Sequence, residues 1–182
     1  MSNPILGIIG GGQLGSMLAI AAKKINIKTI IFCNDENAPA QKFSDEFIYG
    51  NYDDEKKIED FANKVDIVTF EFENIPYLTL KKINNFKKVL PKPKINKIIQ
   101  NRLAEKDFLN KCNIRTTLYV AVKNEKELKS NLNLIPGFLK TCTLGYDGKG
   151  QHQINSINDL DNISLDLKKE YIFEKRVKLK KE

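Results

Sequence analysis

Tryptophan is absent from the 182 residues, histidine occurs once (His152), and arginine only three times (Arg102, Arg115, Arg176). A lone histidine, with no serine or cysteine in a recognisable nucleophile setting, leaves acyl transfer by a Ser-His or Cys-His pair nothing to rest on. Cysteines number three, Cys33, Cys112 and Cys142. That odd count, without a C-x-x-C pair, speaks against a disulfide framework or a zinc site and fits a reducing cytoplasm. No stretch approaches the run of roughly 18–20 apolar residues that a membrane span needs. The opening segment carries no Lys or Arg before Lys23, and Gly10 to Gly12 interrupt its apolar run, so it does not read as a signal peptide. Internal repeats and low-complexity linkers are lacking too. What is present, 41% hydrophobic residues with 10 Phe and 6 Tyr, excludes wholesale disorder. A chain of this length can bury a real core as one domain or two small ones.

The formal net charge is +7. It is unevenly spread: residues 1–80 carry a net −5, residues 81–111 a net +8 and residues 112–182 a net +4. The excess gathers around Lys81, Lys82, Lys87, Lys88, Lys92, Lys94 and Lys97. Such a cluster can be a nucleic-acid footprint. However, 27 of the 30 basic residues are lysine. Recognition of base edges and phosphate forks favours arginine, and lysine on a helix is most often a solvated face. No nucleic-acid partner is expected.

The first part of the chain alternates strand and helix. Ile5 to Ile9 is a short apolar run of the buried parallel-strand type. After Gly10 to Gly12, Leu14, Met17, Leu18, Ala21 and Ala22 recur at helical spacing. Lys28 to Cys33 and Phe47 to Tyr49 read as strands, Ile58, Phe61, Ala62 and Val65 mark a helix, and Ile67 to Phe72 a fourth strand. This order predicts an α/β fold, a doubly wound parallel sheet with right-handed crossovers, over residues 1–98. Residues 99–182 read as a smaller α+β module. Ile95 to Lys111 is expected as one helix spanning the change. Strands follow at Leu118 to Val122 and Gly137 to Thr141, with a helix between them over Glu125 to Leu132. A glycine-rich turn, Leu144 to Gly150, leads to His152-Gln153-Ile154, then a short helix near Asn158 to Ile163 and a last strand, Glu170 to Phe173.

Three motifs carry chemistry. Gly10-Gly11-Gly12-Gln13-Leu14-Gly15 fits G-x-G-x-x-G between a strand and a helix, where a backbone can approach a phosphate, and Asp35 lies at the end of the next strand. A dinucleotide site, another small ligand and close strand–helix packing all satisfy this pattern. Glu71 and Glu73 flank Phe72 at the end of the fourth strand, where period-two geometry sends both carboxylates to one face. They read as ligands of a hydroxyl or amine in the crevice, or as an exposed acidic loop. Lys140 is delivered by a strand beside Gly145-Tyr146-Asp147-Gly148-Lys149-Gly150-Gln151. Glycine amides and two ammonium groups suit a polyphosphate, although no Walker A string is present.

Taken in order, G-G-G-Q-L-G, T-F-E-F-E-N-I, N-R-L-A-E-K, L-K-T-x-T-x-G-Y-D-G-K-G-Q and E-x-x-V resemble the ATP-grasp superfamily. Within it, the sequence is most similar to the 5-(carboxyamino)imidazole ribonucleotide synthase family of purine biosynthesis. The resemblance implies a Rossmann-like pre-ATP-grasp domain, then the N-terminal part of an ATP-grasp domain with a lid at about residues 115–175. It implies that ATP and bicarbonate form carboxyphosphate, whose carbon dioxide carboxylates the amine of aminoimidazole ribonucleotide. Gln13, Leu14, Glu71 and Glu73 would contact that ribonucleotide. Arg102 and Lys140 would bind ATP phosphates, with Gly145, Tyr146, Asp147, Gly148, Lys149, Gly150 and Gln151 as the lid over them. Glu174, Lys175, Arg176 and Val177 would hold adenine through the backbone, and Glu182 the ribose. Magnesium would assist, with its ligands beyond Glu182, and the enzyme would be a cytoplasmic homodimer. The match runs only along the N-terminal part of the family's length, so a truncated chain without catalysis of its own is expected. Rival readings are another carboxylate–amine ligase of the superfamily, an NAD(P)-dependent oxidoreductase built on the first loop, and a non-enzymatic nucleotide-binding module.

Overall fold

The computed structural model describes residues 3–145 and 150–178. The readings made for Tyr146, Asp147, Gly148, Lys149 and Glu182 lie outside them. The chain divides into two compact units, Met1–Lys97 and Ile98–Glu182. Among the described residues no helix is long and apolar enough to cross a membrane.

The first unit is a parallel sheet in the order β3-β2-β1-β4, formed by β1 (Ile5–Ile9), β2 (Lys28–Cys33), β3 (Glu46–Tyr49) and β4 (Ile67–Phe70). Alternate side chains serve opposite faces. Ile9, Ile30, Phe32 and Val68 pack with Ile58 and Phe61 of α2 (Glu55–Lys64) and with Leu80 and Ile83 of α3 (Tyr77–Phe86). Ile8 and Ile31 pack on the other face with Ala19 of α1 (Gln13–Lys24). Both faces are therefore covered, as the continuous apolar strings of β1 and β2 require. Gly7 is the exception in β1: a Cβ there would stand 2.6 Å from Phe61 Cζ, so the missing side chain lets α2 lie close on the sheet. The strand order reverses between β1 and β4. Ligands of such sheets bind beyond the carboxyl ends at that switch point.

One boundary differs from the sequence reading in a way that matters. β4 ends at Phe70 rather than at residue 72. Glu71 N still donates to Ile9 O at 3.1 Å, but the chain then turns, so period-two geometry does not govern Glu71 and Glu73. The predicted helix from Ile95 to Lys111 is also two helices, α4 (Pro93–Ile99) and α5 (Arg102–Lys111). Asn101 breaks it: its side chain accepts from the amides of Leu103 and Ala104 and so caps a new helix.

The second unit is an antiparallel sheet in the order β5-β8-β6-β7, formed by β5 (Tyr119–Val122), β6 (Gly137–Thr141), β7 (Gln151–Ile154) and β8 (Tyr171–Lys175). Leu139, Phe173, Val122 and Ile154 belong to its core, where Leu128 of α6 (Glu125–Lys129) also packs. The expected helix over Glu125 to Leu132 stops at Lys129, and residues 132–134 form a 3-10 turn. The last strand runs two residues further than expected, which puts Glu174 and Lys175 inside the ladder.

Candidate functional site

In the first unit the glycine loop between β1 and α1 is wrapped around a side chain of the protein itself. Glu71 Oε1 accepts from Gly12 N at 2.8 Å, and Glu71 Oε2 accepts from Gly15 N. The helix α1 has no side-chain cap at Gly12. Its exposed amides and positive end are instead met by a carboxylate arriving from β4. The glycines are shaped to this acid. Gly10 has φ +99°, and a Cβ on it would stand 2.4 Å from Glu71 Cγ; one on Gly15 would stand 2.8 Å from Gly10 O and 3.0 Å from Glu71 Oε2. A dinucleotide pyrophosphate would need those same amides and would face a fixed negative charge. Asp35, the acid that a dinucleotide fingerprint would set against a ribose, accepts from Asn37 N at 2.9 Å in a local turn. The glycine fingerprint therefore holds the protein's own carboxylate, and the oxidoreductase reading loses its anion cradle. Gln13 and Leu14 stand exposed beside the pinned amides, and Glu73 is exposed just past Glu71.

In the second unit one sheet face is apolar and the other carries the charge. The register pairs Phe138 with Glu174, Lys140 with Ile172, Lys140 with Gln151, and Tyr119 with Glu174. Cross-strand partners share a face, so Tyr119, Glu174, Phe138, Lys140 and Gln151 all stand on the side away from Leu139 and Phe173. Lys140 and Glu174 are diagonal neighbours, and Lys140 Nζ meets Glu174 Oε2 at 2.9 Å. Glu174 is only 6% exposed. Its other oxygen lies 3.5 Å from Lys106 Nζ, a residue the sequence reading did not single out. The signal was available: Lys106 follows Arg102 by four residues, one helical turn along the same face. Asn110, four further on, bonds Tyr119 OH at 3.0 Å from that face. Burial raises the Tyr119 hydroxyl above its ordinary range, and its bond to Asp107 adds to this.

Arg102 holds the base of the glycine-rich turn. Its guanidinium donates to Thr141 O at 2.9 Å and to Gly145 O at 2.5 Å, and its amide donates to Cys142 O at 2.8 Å. Across the hairpin, Thr141 N donates to Gly150 O at 2.9 Å. Gly150 sits at φ +72°, and a Cβ would meet Thr141 Oγ1 at 2.8 Å. Beyond Glu174, Lys175 N donates to Leu118 O and Arg176 N to Pro136 O, both at 2.9 Å. Thr117 Oγ1 donates to Lys175 O at 2.6 Å. Two amides of the segment that follows Glu174 are thus spent on the fold, while Val177 N–H has no backbone partner among the described residues.

A parallel α/β unit with its glycine loop at the switch point, followed by an antiparallel sheet with the Lys140–Glu174 pair on one face, is the pre-ATP-grasp and ATP-grasp arrangement. The Ribonucleotide synthetase preATP-grasp domain matches residues 4–100, and the ATP-grasp domain matches residues 107–182. The chain belongs to the ribonucleotide synthetase preATP-grasp family. It is 40% identical over 156 residues to N5-carboxyaminoimidazole ribonucleotide synthase of Brucella melitensis, covering 85% of this chain and 43% of that protein. It is 36% identical over 180 residues to the Staphylococcus aureus (strain MRSA252) protein of the same name, covering 97% and 48%. Among solved structures, an ADP complex of N5-carboxyaminoimidazole ribonucleotide synthetase superposes with a TM-score of 0.90 at 36% identity, covering 99% of this chain and 48% of that one. The Aspergillus clavatus N5-carboxyaminoimidazole synthase bound to ADP and 5-aminoimidazole ribonucleotide gives 0.83 at 26% identity, covering 98% and 48%. The chain spans about half the length of these relatives.

Proposed function

We propose that this chain supplies the ribonucleotide-facing loop and the phosphate-gripping sheet of an ATP-dependent carbon–nitrogen ligase. The reaction is the carboxylation of 5-aminoimidazole ribonucleotide by bicarbonate and ATP, through carboxyphosphate, to 5-(carboxyamino)imidazole ribonucleotide. The observation that carries the reading is Lys140, an ammonium on the charged sheet face beside a glycine-rich turn whose base Arg102 braces. Names of the relatives, which include an ADP and ribonucleotide complex, support the substrate.

In this reading Lys140 and Arg102 offset the charge of the ATP phosphates, and residues 145–151 cover them and exclude water. Val177 offers its amide to adenine, and Glu182 takes the ribose hydroxyls. Gln13, Leu14 and Glu73 meet the ribonucleotide, while Glu71 acts one step back by holding their loop in shape. The enzyme is a cytoplasmic homodimer of purine biosynthesis that uses magnesium. The described residues hold no group of three or more His, Cys, Asp or Glu fit to bind that metal.

Titration calorimetry of ATP into the 182-residue chain tests the reading. Saturable heat that weakens about tenfold or more in Lys140→Ala, as loss of one charge-assisted contact requires, is the expected result. No heat with the unmodified chain would overturn it.

A further inference from the structure

Glu174 is a buried acid held by two lysines at once. Lys140 Nζ lies 2.9 Å from one carboxylate oxygen and Lys106 Nζ 3.5 Å from the other. The side chains of the lysines are 26% and 18% exposed, and that of the acid 8%. One ammonium is enough to neutralise one carboxylate, so the second leaves the cluster with a positive charge to spare. Lys106 is fixed where it stands by its helix and by the Tyr119 ring, whose centroid is 5.8 Å from its Nζ. Lys140 has a comparable ring contact, its Nζ 5.7 Å from the Phe138 centroid, and differs in its place: it stands near the end of β6, next to the glycine-rich turn.

We propose that Lys106 is a positioning residue of the nucleotide site, which keeps Glu174 paired when Lys140 leaves it for a phosphate oxygen. The proposal rests on the ATP-binding reading above. A buried carboxylate whose partner is removed is strongly disfavoured. If Lys140 were the acid's sole partner, turning to a phosphate would strand Glu174, and the lysine would stay where it is. With Lys106 on the second oxygen, the acid remains paired throughout, and the ammonium of Lys140 is released to the ligand. The surplus charge also makes the face attractive to a polyanion before contact. Lys106 itself need not touch the nucleotide.

The test is calorimetry of the full 182-residue chain with ATP and, separately, adenosine, on the unmodified protein, Lys106→Met, Lys106→Arg, Glu174→Gln and the double variant Lys106→Met with Glu174→Gln. Lys106→Met should weaken ATP about tenfold, the scale of one lost charged contact, and leave adenosine unchanged. Lys106→Arg should recover most of the loss. In the Glu174→Gln background no carboxylate can be stranded, so Lys106→Met should cost less than about threefold, a coupling that only interacting residues show. Equal ATP affinity of Lys106→Met and the unmodified chain would overturn the proposal. So would an equal loss for adenosine, or the same loss with and without Glu174. If Lys106→Met does not fold, Lys106→Gln takes its place in each comparison. An unmodified chain that fails to bind ATP overturns the ATP reading itself, a result distinct from a silent Lys106 variant in a chain that binds.

Discussion

Replacing Glu71 by Gln keeps the shape of the side chain and removes its charge. One oxygen remains as an acceptor for a loop amide; the other becomes an NH2 group pointing at an N–H. The structure gives two bonds to lose from, Gly12 N at 2.8 Å and the Gly15 amide. Loss of one hydrogen bond to a charged group costs about 1.5–3 kcal/mol. Removing a carboxylate from the N-terminus of α1 adds about 0.3–1 kcal/mol. Together they put the destabilisation of the first unit at about 2–4 kcal/mol. With a urea dependence of about 2 kcal/mol per molar, the midpoint should fall by about 1–2 M. Far-UV circular dichroism during urea unfolding measures this, and hydrogen exchange at the Gly12 and Gly15 amides localises it. A midpoint that moves by less than about 0.3 M, with both amides as protected as before, would refute the view that Glu71 pins the loop.

Three further outcomes concern the glycine hairpin and the cysteines. Gly150→Ala places a side chain at φ +72° and 2.8 Å from Thr141 Oγ1, so thermal unfolding should show a loss of about 1–3 kcal/mol centred on the β6–β7 hairpin. Burial, reinforced by the Glu170 carboxylate, raises the Cys142 thiol from 9.0 to about 11. The folded protein therefore keeps that proton after the unfolded chain has begun to lose it. Stability from this group is full below about pH 9 and is lost as pH rises toward 11, which urea midpoints across that range measure. At pH 8 a thiol reagent should label exposed Cys112 first and reach buried Cys33 and Cys142 only on unfolding.

Much of the architecture is local and legible in the sequence. β1 and β2 run over the residues that their apolar strings mark, Ile5–Ile9 and Lys28–Cys33, because a strand covered on both faces needs a continuous run and has no polar face to interrupt it. The glycine hairpin between β6 and β7 was equally plain, since turn chemistry lies within a few residues. Contacts made across the chain were not readable. The amide of Gly12 and its acceptor on Glu71 are 59 residues apart. Glycines that suit a phosphate suit a carboxylate as well, so the string could not say which anion fills it. The end of β4 is hidden for the same reason: Phe72 and Glu73 continue an alternating pattern, but the strand stops at Phe70, just before the carboxylate that Gly12 and Gly15 hold. The place of Lys106 one turn after Arg102 is visible in the sequence, but its meeting with Glu174, 68 residues further on, is not.

The order of residues thus determined where backbone can be helix, strand or tight turn, because those preferences act over a turn or a pleat. Tertiary structure alone decided which charges meet: which acid enters the glycine loop, and how many ammonium groups crowd onto Glu174. Charge pairing depends on distance and burial in space, and neither is encoded in the spacing of two residues along the chain.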